Sequence, residues 1–127
     1  MGHNFKELKI WMMASKIAID VYTLTKKFPE DERFGLISQM RRCAVSVASN
    51  IAEGCGRNNN TEFNYFLGIG TGSLYEFETQ HIISQELGNT ESYPTMLLIT
   101  DELKKMLYSF KSKKWPLKKS NFLCLTS

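Results

Sequence analysis

The chain has 127 residues, 43% of them hydrophobic and 23% charged, with eight Phe, five Tyr and two Trp. That is enough to bury one core, and it excludes a disordered chain or one held together by disulfides. The net charge of +3 conceals an asymmetry: residues 1–102 carry nine Lys and Arg and all thirteen acids, whereas residues 103–127 carry seven Lys and no acid. A basic segment of that kind is either a solvated tail or an electrostatic footprint for phosphates.

The opening MGHNFKELKIW has no apolar run like a secretory leader, and no stretch approaches the roughly 20 apolar residues of a membrane span. A cytoplasmic chain without a membrane partner is therefore expected. Cys43, Cys55 and Cys124 are odd in number and lack CxxC spacing, and only His3 and His81 could join them. They form no recognisable zinc set and read as reduced thiols; neither a metal nor a cofactor is expected.

Four helices are expected in chain order. The first covers residues 5–27 and stops at Phe28-Pro29, because a residue before proline is pushed out of the α region. The second covers about residues 32–55, with Asp31 as N-cap and Gly54 or Gly56 at a left-handed end. RNNNT connects it to a third helix over about residues 61–87, stopped by Gly88-Asn89. The fourth covers about residues 93–114 and stops at Trp115-Pro116. Nothing between them alternates as a strand does. The expected fold is all-α: an antiparallel up-down four-helix bundle over residues 1–114, followed by a poorly ordered basic tail over residues 115–127.

The helix faces carry more than one bundle needs. On the fourth, Met96, Ile99, Leu103, Met106, Leu107 and Phe110 make a single apolar arc. The first has two: Leu8, Trp11, Met12, Ile19 and Tyr22 on one side, and Ile10, Met13, Ile17, Val21 and Leu24 on the other. One core covers one stripe, so Ile10, Met13, Ile17 and Val21 are assigned to a subunit interface. On the third, Gly70 is expected to meet the Ala44 and Ala48 ridge of the second helix, leaving Gly68 and Gly72 to admit a neighbour; three glycines inside a helix, each costing roughly 1 kcal/mol against alanine, call for such a reason. On the second, Leu36, Met40, Ala44, Val47, Ala48 and Ile51 mark the core side. Gln39, Arg42, Ser46, Asn50, Glu53 and Arg57 gather opposite. Ser and Asn suit an exposed helix middle poorly, because they compete with the backbone for hydrogen bonds. Ser46, Asn50, Glu53 and Arg57 are therefore placed at the interface too, with Glu76 as a carboxylate available to Arg57.

The segments FKELKIWMMASKIAIDVYTLTKKFPEDERFGLISQMRRCAVSVASNIAEGCGR and EFNYFLGIGTGSLYEFETQ resemble the small four-helix-bundle proteins encoded by intervening sequences within bacterial 23S rRNA genes. The likeness spans about residues 5–110. Its markers are Phe28-Pro29, Phe34-Gly35-Leu36, Gln39, Arg41-Arg42, Ser46, the run Ser49 to Gly54 with Arg57, and Gly72-Ser73-Leu74 with Glu76. The resemblance implies a ring of identical subunits, five in number, with no catalytic activity. It also implies a distant kinship with accessory proteins of diversity-generating retroelements, which work beside a reverse transcriptase and nucleic acid.

The function expected is a non-enzymatic homo-oligomer that binds RNA or DNA through basic residues with little sequence preference. The candidates are Lys104, Lys105, Lys111, Lys113 and Lys114, with Arg41 and Arg42 next. The alternative is an adaptor that recruits a nucleic-acid enzyme such as a reverse transcriptase. An enzyme would draw on Glu53, Glu76, Glu78 and His81, but a di-metal bundle needs two Glu-x-x-His pairs and Glu78 and His81 form just one. No small-molecule substrate is expected.

Overall fold

Helices account for most of the computed structural model, which describes residues 4–91 and 93–111. They are α1 (Lys9–Thr25), α2 (Ser38–Cys55), α3 (Asn60–Glu86) and α4 (Pro94–Lys111), and no strand occurs among the described residues. The tail over residues 115–127, and Lys113 and Lys114 before it, lie outside the described residues. The principal helix contacts join α2 to α3, α1 to α2, α1 to α4 and α3 to α4. No helix among the described residues is long and apolar enough to cross a membrane.

The core settles which stripe of α1 faces inward. Ile10, Ala14, Ile17, Val21 and Leu24, spaced by alternating fours and threes, are all buried, the spacing of a seam that packs against neighbouring helices. Ile10 and Val21 have no exposed surface and Ile17 only 2%, and Met13 packs partly buried against the same core. The assignment of Ile10, Ile17 and Val21 to a subunit interface is thus corrected: their own chain covers them, and it covers Met13 in part. Of the opposite stripe, Leu8 is buried and Trp11 packs against the core, which leaves Met12, Ile19 and Tyr22 as its exposed part. From α2 the core takes Met40, Ala44, Val47 and Ile51, from α3 Phe63, Leu67, Leu74 and Phe77, and from α4 Met96, Leu103, Leu107 and Phe110.

α2 and α3 run antiparallel with their backbones close. Gln80 donates to Cys43 Sγ at 3.6 Å, the Ser46 and Ser73 hydroxyls are 2.9 Å apart, and a methyl placed on Gly54 would lie 3.2 Å from the Phe63 carbonyl oxygen. A methyl on Gly70 would meet the Val47 carbonyl at 3.4 Å and Asn50 Cβ at 3.5 Å. Gly70 therefore serves close approach, as expected, but against Val47 and Asn50 rather than the Ala44 and Ala48 ridge.

Helix ends depart from expectation in three places. The first helix does not run from residue 5: Phe5–Glu7 is a 3-10 turn, Leu8 is extended (φ −79°, ψ 128°) and α1 begins at Lys9. Asp31 does not cap the second helix; it lies in a 3-10 turn, Glu30–Glu32, followed by a π-helical segment, Arg33–Ile37, in which Gly35 has non-helical dihedrals (φ −102°, ψ −109°). α2 accordingly begins only at Ser38. Nor does α2 end left-handed: Gly56 stays in the right-handed region and its N–H bonds back to the Ala52 and Glu53 carbonyls. The left-handed residue is Gly88 (φ 78°), where Gly88 N–H donates to Gln85 O and Asn89 N–H to Ser84 O, the paired bonds that close a helix C-terminus on glycine. At the start of α3, Asn59 Oδ1 accepts from Glu62 N–H at 2.8 Å and Asn59 Nδ2 donates to the Glu62 carboxylate at 2.7 Å.

Truncation separates the two faces of α1. Ile17→Ala is expected to cost about 2–5 kcal/mol, a core cavity, and Ile19→Ala, at a residue 67% exposed, no more than about 0.5 kcal/mol. Urea unfolding midpoints measure both, and the reverse order would contradict this packing.

Candidate nucleic-acid interface

Where α1 ends and α2 begins, three arginines and two aromatic rings converge. Phe28 is buried and anchors the chain as it leaves α1. The interruption at Gly35 then leaves Phe34 88% exposed beside Arg33. Tyr22, Arg33, Phe34, Ile37, Ser38, Arg41 and Arg42 line a groove of about 400 Å³. None of these seven is acidic. The nearest acids in sequence are the turn residues Glu30, Asp31 and Glu32; Glu32 accepts a hydrogen bond from Asn89 Nδ2 at 3.0 Å.

The arginines are held in different ways. Arg41 Nε donates to Thr25 Oγ1 at 2.9 Å, and that hydroxyl in turn donates to the Val21 carbonyl at 2.7 Å. The Arg41 guanidinium also lies 4.5 Å from the centre of the Tyr22 ring. Tyr22 and Thr25 thus fix its stem and one face, which lowers the entropy lost when the outer amino groups meet an anion. Arg42 is exposed and donates to Gln39 Oε1. Arg33 sits 5.5 Å from the Phe34 ring centre.

Lys104, Lys105 and Lys111 form no common patch with them. Lys104 donates to both carboxylate oxygens of Glu78 at 3.0 and 3.1 Å and pairs with Asp101 at 3.2 Å. The Glu78 hydrogen bond, against some opposition from burial, holds its ammonium above the ordinary lysine range. Lys104 is therefore a neutralised contact between α3 and α4. Lys105 is exposed and shares a second groove, about 420 Å³, with Tyr75, Asp101, Lys104 and Tyr108. Lys111 is exposed, and its Nζ lies 3.7 Å from where a Cβ on Gly68 would be. Of the five predicted cations among the described residues, Arg41 and Arg42 come together in the arginine groove and Lys104, Lys105 and Lys111 do not line it. The sequence reading missed Tyr22, Arg33 and Phe34; an Arg-Phe pair next to a helix-interrupting glycine was the available signal.

The polar stripe of α2 is engaged within the chain. Asn50 Nδ2 donates to Ser46 O and Oγ at 2.8 and 3.0 Å, and Ser46 meets Ser73 across the α2–α3 seam. Arg57 pairs with Glu53 at 2.6 Å and Glu62 at 3.5 Å and lies 4.7 Å from the Phe66 ring centre. Gly68 faces Lys111 rather than open space. Gly72 and Glu76 do remain on the outside, and a methyl on Gly72 would meet nothing within 4 Å.

The acidic and histidine residues considered for catalysis are dispersed. Glu53 pairs with Arg57 and Glu78 with Lys104, while His81 is buried, ring-stacked on Phe77 at 5.8 Å, and its Nε2 has no hydrogen-bond partner among the described residues. Among the described residues no three His, Cys, Asp or Glu are grouped to hold a metal ion. Cys43 and Cys55 are buried free thiols; burial pushes the Cys55 thiol up to about 12 and also raises Cys43.

A family model described as 23S rRNA-intervening sequence protein matches residues 6–109. A comparison with curated proteins finds no match.

Burial holds His81 below the ordinary histidine value of 6.5, outweighing the opposite pull of Glu78. Above that value both folded and unfolded chains carry it neutral, and its contribution to stability is fully present. As the pH falls through 6.5, the unfolded chain takes the proton first and the contribution is lost. Unfolding midpoints should therefore fall between about pH 7.5 and about pH 5.5, and His81→Phe should flatten that slope.

Proposed function

This chain belongs to the 23S rRNA-intervening sequence protein family, and from that premise we propose that it is a non-enzymatic, cytoplasmic nucleic-acid-binding protein. In this reading the four helices form an antiparallel up-down bundle that assembles as a homo-oligomeric ring, of five subunits by family likeness. It binds RNA or DNA through basic surface residues with little sequence preference. It requires no metal, cofactor or small-molecule substrate.

The observation that carries nucleic-acid binding is the groove of Arg33, Arg41 and Arg42, which contains no acid. Guanidinium groups pair with phosphates bidentately, and phosphate contacts supply affinity without reading sequence. Copies of the groove on a ring would engage one strand repeatedly, raising avidity without new contacts.

Assembly is supported by the outer face of α3. Tyr65, Ile69 and Ile83 are exposed on it at helical spacing, along with Gly72 and Glu76. A soluble monomer seldom leaves such a stripe open, and this one, with Gly72 at its middle, replaces the α1 residues as the interface of choice.

Two measurements test the proposal. In gel-shift titrations, affinity should fall roughly 20- to 40-fold between about 50 mM and about 200 mM salt where the three arginines of one subunit meet phosphates, and more steeply as further subunits engage the same strand, and Arg41→Ala with Arg42→Ala should weaken binding and flatten that dependence. Absence of binding at low salt would end the nucleic-acid reading. Native mass tests assembly: wild type should exceed one subunit. Gly72→Ala should raise helix propensity by about 1 kcal/mol yet lower the native mass by holding neighbours apart. A monomeric wild type would end the ring.

A further inference from the structure

The arginine groove contains a feature that phosphate binding alone does not use: Phe34, a benzyl side chain 88% exposed in a segment whose other large apolar residues, Leu36 and Ile37, pack against the core. Its ring has Arg33 at 5.5 Å, and the neighbouring Tyr22 ring has Arg41 at 4.5 Å. Two rings and three guanidinium groups within one cleft of about 400 Å³ combine flat apolar faces with positive charge.

We infer that this groove is a subsite for an unpaired nucleotide, with the base stacked on Phe34 and the adjoining phosphate held by Arg41 and Arg42. The inference rests on the reading that the chain binds nucleic acid, and adds that it selects single strands. A base inside a duplex has both faces covered by its neighbours and cannot reach a protein ring, whereas an unpaired base offers its face to aromatic and guanidinium planes alike. Every base has such a face, so stacking adds strand selectivity without adding sequence selectivity. Arg41 suits the phosphate role: Nε is committed to Thr25 and one face to Tyr22, while its outer amino groups make no hydrogen bond among the described residues. A run of acidic residues alone could pair with the arginines but gives Phe34 no flat face to stack on.

The test compares a short single-stranded RNA without self-complementarity with the duplex of the same sequence. Binding is measured for the full-length wild type, Phe34→Ala and Phe34→Trp, with native mass recorded for each. Phe34→Ala should lose about tenfold in affinity for the single strand, change little toward the duplex, and keep the wild-type mass. The Phe34→Trp indole should be quenched by the single strand and not by inorganic phosphate. Equal affinity of the wild type for both RNAs, an unaffected Phe34→Ala, or an unquenched indole would overturn the stacking subsite and leave phosphate binding standing. Polyglutamate competing as well as the single strand would overturn it in favour of a charge-only site. A fall in native mass with Phe34→Ala would overturn it by placing the ring between subunits. Failure of the wild type to bind either RNA at low salt would remove the underlying reading as well.

Discussion

The close approach of α2 and α3 governs the rest of the molecule. With Gly54 over the Phe63 carbonyl and Gly70 over the Val47 carbonyl, there is no room between these backbones for larger side chains. Short polar ones fill the seam instead: Ser46, Asn50 and Ser73 hydrogen-bond to one another or to local backbone. Each glycine inside a helix costs roughly 1 kcal/mol of propensity, and the dense contact it permits offsets that cost. Because Ser46 and Asn50 are spent on this seam and on local backbone, the middle of the polar stripe is not the surface that a partner reads, whereas Arg42 at its start stays exposed in the arginine groove.

The consequence for α3 is a helix with apolar residues on both sides. Phe63, Leu67, Leu74 and Phe77 fill the core, while Tyr65, Ile69, Tyr75 and Ile82 face outward. A helix apolar all round is ordinarily buried all round. Exposed apolar residues therefore lie along α3, with others at Met12, Ile19 and Tyr22 on α1 and at Leu98 and Tyr108 on α4.

The arginine groove depends on the other end of the same seam. α2 cannot continue back through Gly35, so the chain enters it through a π-helical segment that turns Phe34 out beside Arg33. Arg41 and Arg42 follow within the first turns of α2. What separates these cations from Lys104 is the company they keep. Lys104 has two carboxylates within hydrogen-bonding distance, and its charge is spent inside the fold. Arg41 rests on a hydroxyl and an aromatic ring, neither of which cancels its charge.

Helix number and order, and the core arcs of α2 and α4, were legible in the sequence, because hydrophobic periodicity and proline or glycine stops act within one segment and do not depend on what packs against it. The choice between the two apolar stripes of α1 was not legible from apolar residues alone. The regular fours and threes of Ile10, Ala14, Ile17, Val21 and Leu24 favour one seam only once the alanine is counted as core. Tertiary structure alone decided that Ser46 and Asn50 face a neighbouring helix of the same chain, that Lys104 meets Glu78, and that Arg33 and Phe34 join Tyr22 and Arg41. Ser46 and Ser73 are 27 residues apart in the chain and Glu78 and Lys104 26. Which distant side chains meet is set by how helices rotate and slide against one another, and no single helix specifies that.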